Sequence, residues 1–332
     1  MKKQNLSYKD AGVDTEKAAE LVGNIGSMRN RTETKHKLMQ SFGLFAASFD
    51  LSPWKNPVIL VACDGVGTKI QLLMKHDMPE IAGVDLVGMN VNDVLTSNAM
   101  PVLFLDYVGI HNIEQAPIGR MIDGLTQALA DCDCVLAGGE TAEMPGLVHE
   151  NLLELSGFVV GVAEKSDLLD PNEIEVGDIV LGIPSNGIHA NGFSLVRKLM
   201  ENDPELIPDE WIPDLLAPTR IYYPEVKAMQ DAGIRPRGMA HITGGGIKEN
   251  FARILNGKGA DLLLPEWKNP AARRLVDAIP LENAIHAFNM GIGWMIVLSP
   301  EQAADVQALL PEAVRMGCIT EDENIDVKVP WA

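Results

Sequence analysis

The sequence predicts an α/β protein built from two α+β domains, and three observations support this fold class. The 332 residues are too many for one ordinary hydrophobic core. Short apolar runs rich in β-branched residues alternate with longer stretches whose apolar residues recur at helical spacing. A polar stretch at 165–178, which contains Pro171, separates two halves that both show this alternation. We therefore predict one domain at 1–167 and a second at 168–332.

The first half predicts strands and helices in alternation. Residues 58–63 form a continuous apolar run, which is typical of a buried strand, and this run ends at Asp64-Gly65. Apolar residues at helical spacing over 84–95 predict a helix that stops before Pro101. The remaining predictions are a helix at 113–130 and strands at 102–105, 135–137 and 152–163.

The second half repeats the pattern. Two polar loops lead into predicted helices, over 185–199 and 243–255. The strands predicted in this half are at 179–183, 261–264, 292–298, 314–319 and 325–329.

Composition excludes several classes of protein. A formal net charge of −19 repels phosphate backbones, so we expect no nucleic-acid partner, although a small phosphorylated ligand needs only a local positive site. No apolar run reaches the roughly 20 residues of a membrane span, and no apolar segment follows Lys2-Lys3 as in a signal peptide. We expect a cytoplasmic protein. Cys132 and Cys134 fit two buried cysteines beside a helix-to-strand turn better than a metal site.

The first candidate site is Asp64-Gly65-Val66-Gly67-Thr68-Lys69, between the predicted strand and a helical pattern at 70–75. Glycines at such a turn expose backbone N–H groups, and a helix N-terminus favours an anion. Lys69 adds a positive charge, and Asp64 has the hard oxygen atoms that Mg²⁺ prefers. The spacing is not that of a Walker A loop, and a plain tight turn with a surface lysine is an equal alternative.

Two further carboxylates lie in similar settings. Asp93 is on a mostly apolar helix, and Glu140 follows the predicted strand and Gly138-Gly139. Sites that bridge nucleotide phosphates through Mg²⁺ use few carboxylates and several waters. For one carboxylate alone, a solvated or hydrogen-bonded Asp93 and a turn-capping Glu140 are the favoured alternatives. Three such residues together favour a metal site modestly.

The loop at 184–195 is a third candidate. Ser185, Asn186, His189 and Asn191, with the backbone N–H groups around them, suit a phosphate or sugar hydroxyls. The alternative is an ordinary helix start with Asn191 as its N-cap.

The loop at 241–247 is the fourth. Thr243 precedes three consecutive glycines, 244–246, which suggests close approach of a ligand to the backbone. The alternative is a flexible turn. The residues alone thus indicate an enzyme with a phosphorylated ligand, without naming a reaction.

At these segments the sequence resembles the aminoimidazole ribonucleotide synthetase family, also called phosphoribosylformylglycinamidine cyclo-ligase. Nine segments match the family in order and at similar spacing; one alone would be a weak signal, but nine in order are a strong one. They are residues 7–14, 64–69, 83–87 with 91–94, 104–107, 138–146, 185–197, 217–222, 241–246 and 288–293.

The resemblance implies a two-domain synthetase fold. The N-terminal α/β domain would form an intersubunit β-barrel in a homodimer, beside a C-terminal α/β domain. Thiamine-monophosphate kinase, selenophosphate synthetase, a hydrogenase-maturation protein and formylglycinamidine ribonucleotide amidotransferase share this architecture, and they are the sibling alternatives. A rival from another class is a catalytically inactive nucleotide-binding assembly module, which the fold alone would permit.

The resemblance also implies a reaction and a set of site residues. ATP would phosphorylate the formyl oxygen of formylglycinamidine ribonucleotide, and the amidine nitrogen would then displace phosphate from the iminophosphate and close the imidazole. Asp64, Asp93 and Glu140 would hold Mg²⁺ and, with Lys69, form the catalytic set. The family pattern assigns ATP to Lys9, Asp14, Gly65, Val66, Gly67, Thr68 and Lys69, and the substrate's ribose phosphate to Ser185, Asn186, His189, Asn191, Thr243, Gly244, Gly245 and Gly246.

Overall fold

The structure is a computed structural model that describes residues 15–39, 46–112, 115–149 and 153–332. Its internal contacts divide the chain into two compact units. The first comprises Met1–Lys55, Val61–Asn90 and Pro101–Gly161, and the second comprises Asn56–Leu60, Val91–Met100 and Val162–Ala332. The mixed α/β fold is confirmed, whereas the domain boundary near residue 168 and the intersubunit barrel stay predictions.

The first part of the chain contains four strands and four helices among its described residues. They are α1 (Thr15–Arg29), β1 (Pro57–Gly65), α2 (Lys69–Lys75), α3 (Pro79–Leu95), β2 (Met100–Ile110), α4 (Gln115–Asp131), β3 (Val135–Glu143) and β4 (Leu153–Glu164). Every strand and helix predicted in this part is present, with shifted ends. Cys132 and Cys134 lie between α4 and β3, and burial raises the pKa of both thiols, as expected for inert core cysteines.

The four strands form one sheet in the order β1-β4-β2-β3. Strand β3 is longer than the predicted 135–137, and Glu140 lies inside it rather than after it, which corrects the sequence-based placement. The strand continues through Gly138-Gly139 because β3 pairs in parallel with β2, with Asp106 opposite Gly139 and Tyr107 opposite Glu140.

Strand β1 is not the buried strand that its apolar run predicts. Ile59 is 54% exposed and Val61 is 74% exposed, and Cys63 on the same face is also exposed. Successive side chains of a strand alternate between faces, so these three residues form one apolar stripe on the surface of the single chain.

The second part of the chain carries a six-stranded sheet in the order β10-β7-β9-β5-β8-β6. The outer pair β10 and β7 is parallel, and the other neighbours are antiparallel. Its strands are β5 (Ile179–Pro184), β6 (Gly238–His241), β7 (Gly259–Leu263), β8 (Ile292–Leu298), β9 (Val314–Thr320) and β10 (Ile325–Lys328). All seven residues of β8 are buried, so this strand lies in the hydrophobic core of the unit.

Seven helices accompany this sheet in the described residues. They are α5 (Phe193–Asn202), α6 (Ile212–Leu215), α7 (Tyr223–Asp231), α8 (Gly246–Leu255), α9 (Pro270–Asp277), α10 (Leu281–Ala287) and α11 (Pro300–Leu309). Helix α5 begins after Gly192, not Asn191, so the N-cap alternative for Asn191 is wrong. Within the described ranges, no helix is both long and apolar enough to cross a membrane.

Candidate functional site

The turn after β1 is fixed to helix α3 by a buried asparagine. The backbone N–H of Asp64 donates to Oδ1 of Asn90 at 2.9 Å, and Nδ2 of Asn90 donates to the Asp64 carbonyl at 3.1 Å. The Asp64 carboxylate accepts the N–H of Gly65 at 2.7 Å. Gly67 has a φ of +65°, and a Cβ there would meet no atom within 4 Å. The turn is therefore held firmly at Asp64 and is open at Gly67.

Lys69 lies at the start of α2 in a fully enclosed ion pair. Its Nζ is 2.8 Å from Oδ2 and 3.0 Å from Oδ1 of Asp85, and both side chains are 0% exposed. Burial lowers the pKa of Lys69, and the carboxylate of Asp85 opposes that shift. The assignment of Lys69 to phosphates stays a prediction. The charge of Lys69 is already balanced by the carboxylate of Asp85.

Glu140 is exposed on β3, and it lies near a buried carboxyl group on the neighbouring strand. Asp106 is 7% exposed; burial and, to a smaller extent, the charge of Glu140 raise its pKa from 3.8 to about 7. A Cβ on Gly139 would overlap Oδ1 of Asp106, so glycine at this position makes room for the carboxyl group. The segment containing Asp106 matches the family, but sequence reasoning gave this residue no role.

Asp93 lies in the second unit, where a histidine holds its carboxylate. Nδ1 of His241 is 3.0 Å from Oδ1 of Asp93, and Nε2 is 3.3 Å from Nδ2 of Asn92. Asn92 also donates to the Arg220 carbonyl and accepts from the N–H of Tyr222, both at 2.9 Å. The His241 side chain is 2% exposed and that of Asp93 is 42% exposed, so the pair is closed on one side and open on the other.

The loop at 185–191 is braced from inside the protein. Oγ of Ser185 donates to Oδ1 of Asn289 at 3.2 Å, and Nδ2 of Asn289 donates to the Gly187 carbonyl at 2.9 Å. Asn186 is exposed and donates to the Pro218 carbonyl. His189 is buried with a φ of +59°, and its Nε2 accepts the N–H of Arg220 at 3.4 Å. The imidazole of His189 thus faces the interior, whereas Asn186 faces solvent.

The glycine loop at 243–246 is braced by Asn250 of α8. Nδ2 of Asn250 donates to the carbonyls of Thr243, Gly244 and Gly246, and Oγ1 of Thr243 donates to its Oδ1. Gly245 has a φ of +89°, which favours glycine. Asn250 is 3% exposed, so a buried amide gives this glycine run a defined shape.

The two loops approach each other. A Cβ on Gly244 would lie 3.5 Å from Oδ1 of Asn191, which is ordinary van der Waals contact. The loops lead into α5 and α8, and in the described structure no side chain caps either helix start. Backbone N–H groups at such helix starts favour an anion.

Arg220 connects these loops to a surface cavity. Its guanidinium binds Glu225 and Glu312 and donates to the Pro184 carbonyl. It lines a cavity of about 480 Å³ together with side chains from α7 and from 309–313. Its backbone carbonyl accepts from Asn92 and its backbone N–H donates to His189, so residue 220 links these two side chains.

The predicted site residues are divided between the two compact units. Asp64, Lys69 and Glu140 belong to the first unit, and Asp93 belongs to the second unit with the two loops. Lys9 and Asp14 lie outside the described residues. Among 15–39, 46–112, 115–149 and 153–332, no three His, Cys, Asp or Glu side chains cluster closely enough to hold a metal ion.

Sequence reasoning missed several residues that hold the site. Each lies inside or beside a segment that matches the family, but no partner was visible from the sequence because the contacts span up to 149 residues. They are Asp85, Asn90, Asn92, Asp106, Arg220, His241, Asn250 and Asn289.

Two known protein families match most of the chain. The family described as AIR synthase related protein, N-terminal domain, matches residues 46–163. The family described as AIR synthase related protein, C-terminal domain, matches residues 175–330. A solved structure of the hydrogenase maturation protein HypE in complex with ATP has a TM-score of 0.68 over 94% of this chain and 91% of that chain. At 13% identity this likeness shows the fold.

Full-length relatives are much closer in sequence. The phosphoribosylformylglycinamidine cyclo-ligase of Gloeobacter violaceus is 38% identical over 96% of this chain and 99% of its own length. The enzyme of the same name from Chromobacterium violaceum is 40% identical over 98% of both chains. With both domains matched and identities of 38% and 40% over 96% and 98% of its length, the chain belongs to the phosphoribosylformylglycinamidine cyclo-ligase family.

Proposed function

We propose that the protein is the ATP-dependent cyclo-ligase that converts formylglycinamidine ribonucleotide to aminoimidazole ribonucleotide in purine biosynthesis. ADP and phosphate are released, and the ring closes through an iminophosphate. The observation that carries this proposal is identity of 38–40% to phosphoribosylformylglycinamidine cyclo-ligases over 96–98% of the chain. Both matched domains support it.

The turn at 64–69 fits the phosphates of ATP. Gly67 is exposed, has a positive φ and leaves open space where a side chain would stand, so a phosphate can approach the backbone. Asp64 and the exposed Glu140 offer only oxygen ligands, the donor type that Mg²⁺ prefers. Mg²⁺ sites of this kind complete their shell with waters and phosphates, so a cluster of three protein ligands is not required.

The residues assigned to Mg²⁺ are Asp64, Asp93 and Glu140. When bound, the ion neutralises charge on the transferring phosphate. The protein's own part is to hold these carboxylates still: Asn90 fixes the backbone at Asp64, and β2 fixes β3 at Glu140. Fixed donors and charges stabilise a transition state without reorganisation at the moment of reaction.

The two loops of the second unit form the anchor for the substrate's ribose phosphate. Oδ1 of Asn191 lies 3.5 Å from the place where a Cβ of Gly244 would stand, so the loops that lead into α5 and α8 are neighbours. A local site of this kind is needed in a chain of net charge −19, which offers no diffuse attraction for an anion. Because the phosphate is remote from the reacting atoms, its binding energy can orient the formyl and amidine groups.

The protein acts as a homodimer in the cytoplasm and has no nucleic-acid partner. The exposed stripe of Ile59, Val61 and Cys63 on β1, with Leu105 and Phe158 also exposed on β2 and β4, supports a second subunit on this sheet. Four free cysteines suit a reducing compartment. Sedimentation at micromolar concentration should give twice the 36.0 kDa chain mass, and a stable, active monomer contradicts the dimer.

The function is tested by measuring ADP release with and without formylglycinamidine ribonucleotide. We expect ATP cleavage to depend on that substrate and aminoimidazole ribonucleotide to appear in equal amount. ADP release stimulated instead by thiamine monophosphate or selenide would move the protein to a sibling activity. Nucleotide binding without turnover on any of these substrates would favour the inactive assembly module.

A further inference from the structure

We propose that His241 is a positioning residue, held by Asn92 in the tautomer that carries its proton on Nδ1, and that this N–H fixes the carboxylate of Asp93. The inference deepens the proposed function, because it rests on Asp93 serving ATP or its metal. It concerns a residue that is buried and remote in sequence from the carboxylate that it holds.

The amide of Asn92 has only one possible orientation. One end faces the backbone N–H of Tyr222 at 2.9 Å, and an N–H can only donate, so that end is Oδ1. The other end faces the carbonyl of Arg220 at 2.9 Å, and a carbonyl can only accept, so that end is Nδ2. Two backbone groups thus decide an assignment that is often ambiguous for asparagine.

This orientation decides the tautomer of His241. Nδ2 of Asn92 carries two hydrogens, and the second points to Nε2 of His241 at 3.3 Å. Nε2 must therefore accept, and in a neutral ring the single proton is then on Nδ1. Nδ1 lies 3.0 Å from Oδ1 of Asp93, so the imidazole donates to the carboxylate. The chain of donation runs from Asn92 through His241 to Asp93.

The surroundings keep this chain of hydrogen bonds rigid. Asn92 is 0% exposed on α3, and His241 ends β6, where it is paired with Trp294 of β8. The ring of Trp294 lies beside that of His241, with their centroids 6.3 Å apart. Because Asp93 is 42% exposed, one oxygen is held by His241 while the carboxylate stays accessible to a ligand. Partners that orient a liganding side chain often matter nearly as much as the ligand itself.

The first experiment measures the tautomer directly. The protein is labelled with ¹⁵N-histidine, and the ring nitrogens of His241 are assigned among the seven histidines by loss of their signals in His241→Asn. We expect Nδ1 of His241 to have the shift of a protonated nitrogen and Nε2 that of an unprotonated one. A proton on Nε2 in the unaltered protein overturns the proposal.

The second experiment separates the effect of the Nδ1 donor of His241 from the effect of the volume of its ring. Asparagine at position 241 places an amide nitrogen where Nδ1 stands, whereas glutamine reproduces the Nε2 position. We expect His241→Gln to lower kcat about 10-fold to 100-fold, as loss of an orienting partner typically does. We expect His241→Asn to retain most of the kcat, with a similar loss of melting temperature in both variants. Equal losses of kcat in the two variants, or a larger loss for Asn, overturn the positioning role.

The two experiments also distinguish this proposal from the function on which it rests. The tautomer is read without substrate, so it tests the hydrogen-bond chain whatever the reaction is. If the unaltered protein fails to turn over formylglycinamidine ribonucleotide while His241 carries its proton on Nδ1, the proposed function is wrong and the geometry stands. If turnover is normal but the proton is on Nε2, the function stands and the positioning role is wrong.

Discussion

Two acid–base pairs of this protein have similar distances and very different surroundings. Lys69 and Asp85 lie 2.8 Å apart with both side chains 0% exposed. His241 and Asp93 lie 3.0 Å apart, with the imidazole buried and the carboxylate 42% exposed. In the first pair the charges are confined to the fold. In the second, the buried partner orients a carboxylate that a ligand can reach.

From this difference in exposure we infer that the enclosed pair maintains the fold and that the open pair serves a ligand. A buried charge must be paired, so removal of its partner costs folding free energy. An exposed carboxylate costs little to change, but its charge matters when a phosphate or metal is bound. We therefore expect variants of the enclosed pair to lose stability first, and variants of the open pair to lose turnover first.

The largest expected effect is that of Asp85→Asn. It leaves the ammonium of Lys69 buried without a counter-charge, and such a change typically costs about 3–5 kcal/mol of unfolding free energy. Denaturant unfolding monitored by circular dichroism measures it. The matched control is Asp77→Asn, which removes an exposed partner of Arg120 and should have no measurable effect. Equal stability of the two variants would show that the enclosed pair is not needed for the fold.

Asp106 has the next largest expected effect, because its carboxyl is buried and its pKa lies at about 7 instead of 3.8. The folded state keeps a proton that the unfolded state releases, so this carboxyl lowers stability progressively as pH rises from about 4 to about 7. Each unit of pKa difference corresponds to about 1.4 kcal/mol, which gives a few kcal/mol in total.

The variant Asp106→Asn should remove this pH dependence. Its unfolding free energy relative to the unaltered protein should rise between pH 4 and pH 7 and stay level above pH 7. Measuring the difference cancels the contributions of the other carboxylates. A difference that is constant over the whole range would mean that Asp106 titrates as an exposed aspartate does. The environment of Asp106 is intermediate between those of the two pairs, because its carboxyl group is buried, like that of Asp85, but lies close to the exposed Glu140.

Asp93→Asn tests the open pair. Asparagine can still accept from His241 through its carbonyl oxygen, so stability should change by less than about 1 kcal/mol. Loss of the charge should lower kcat about 100-fold or more.

Asp64→Asn and Glu140→Gln should behave in the same way if these residues share a metal with Asp93. Near-normal rates for all three variants at limiting Mg²⁺ would reject the metal assignment, and Asp231→Asn, at an exposed surface pair, is the control.

The sequence predicted most of the strands because local pattern determines them, although it predicted no strand at β6 and only the helices α2 to α5 and α8. It failed where a distant partner decides the outcome. Gly138-Gly139 is typical of a turn, but β3 continues through it because it pairs in parallel with β2, and Gly139 leaves room for the carboxyl group of Asp106. Similarly, the apolar run of β1 predicts a strand, but the pattern cannot tell a core face from a face that is exposed on the single chain.

The candidate site was predictable only in part for the same reason. Glycine loops, a carboxylate at a strand end and a carboxylate on an apolar helix are visible in the sequence, and they pointed to the two loops, Asp64 and Asp93. A lone histidine carries little information, and the partners of His241 lie 148 and 149 residues away. The burial of Lys69 could not be predicted either, because a lysine after a glycine turn is ordinarily exposed. Here its side chain is buried in an ion pair with Asp85 of α3.

The smallest expected effect concerns the glycine loop, where Gly244→Val tests the substrate anchor. Valine at Gly245 would be strained by a φ of +89°, so a defect there would mix folding with binding. Gly244 has no positive φ, and a Cβ would only contact Asn191 at 3.5 Å. A side chain there should fill the space between the two helix starts and weaken contact of the ribose phosphate with the backbone. We expect the KM for the ribonucleotide to rise about 10-fold, the equivalent of about 1.4 kcal/mol, while ATP affinity stays nearly unchanged.

Gly244→Ala should show a smaller shift in the same direction, since one methyl group leaves most of the space open. His189→Ala serves as the comparison, because its imidazole is buried and should affect stability more than KM. If Gly244→Val weakens ATP binding and leaves ribonucleotide binding intact, the loops of the second unit hold the nucleotide, and the two subsites must be exchanged.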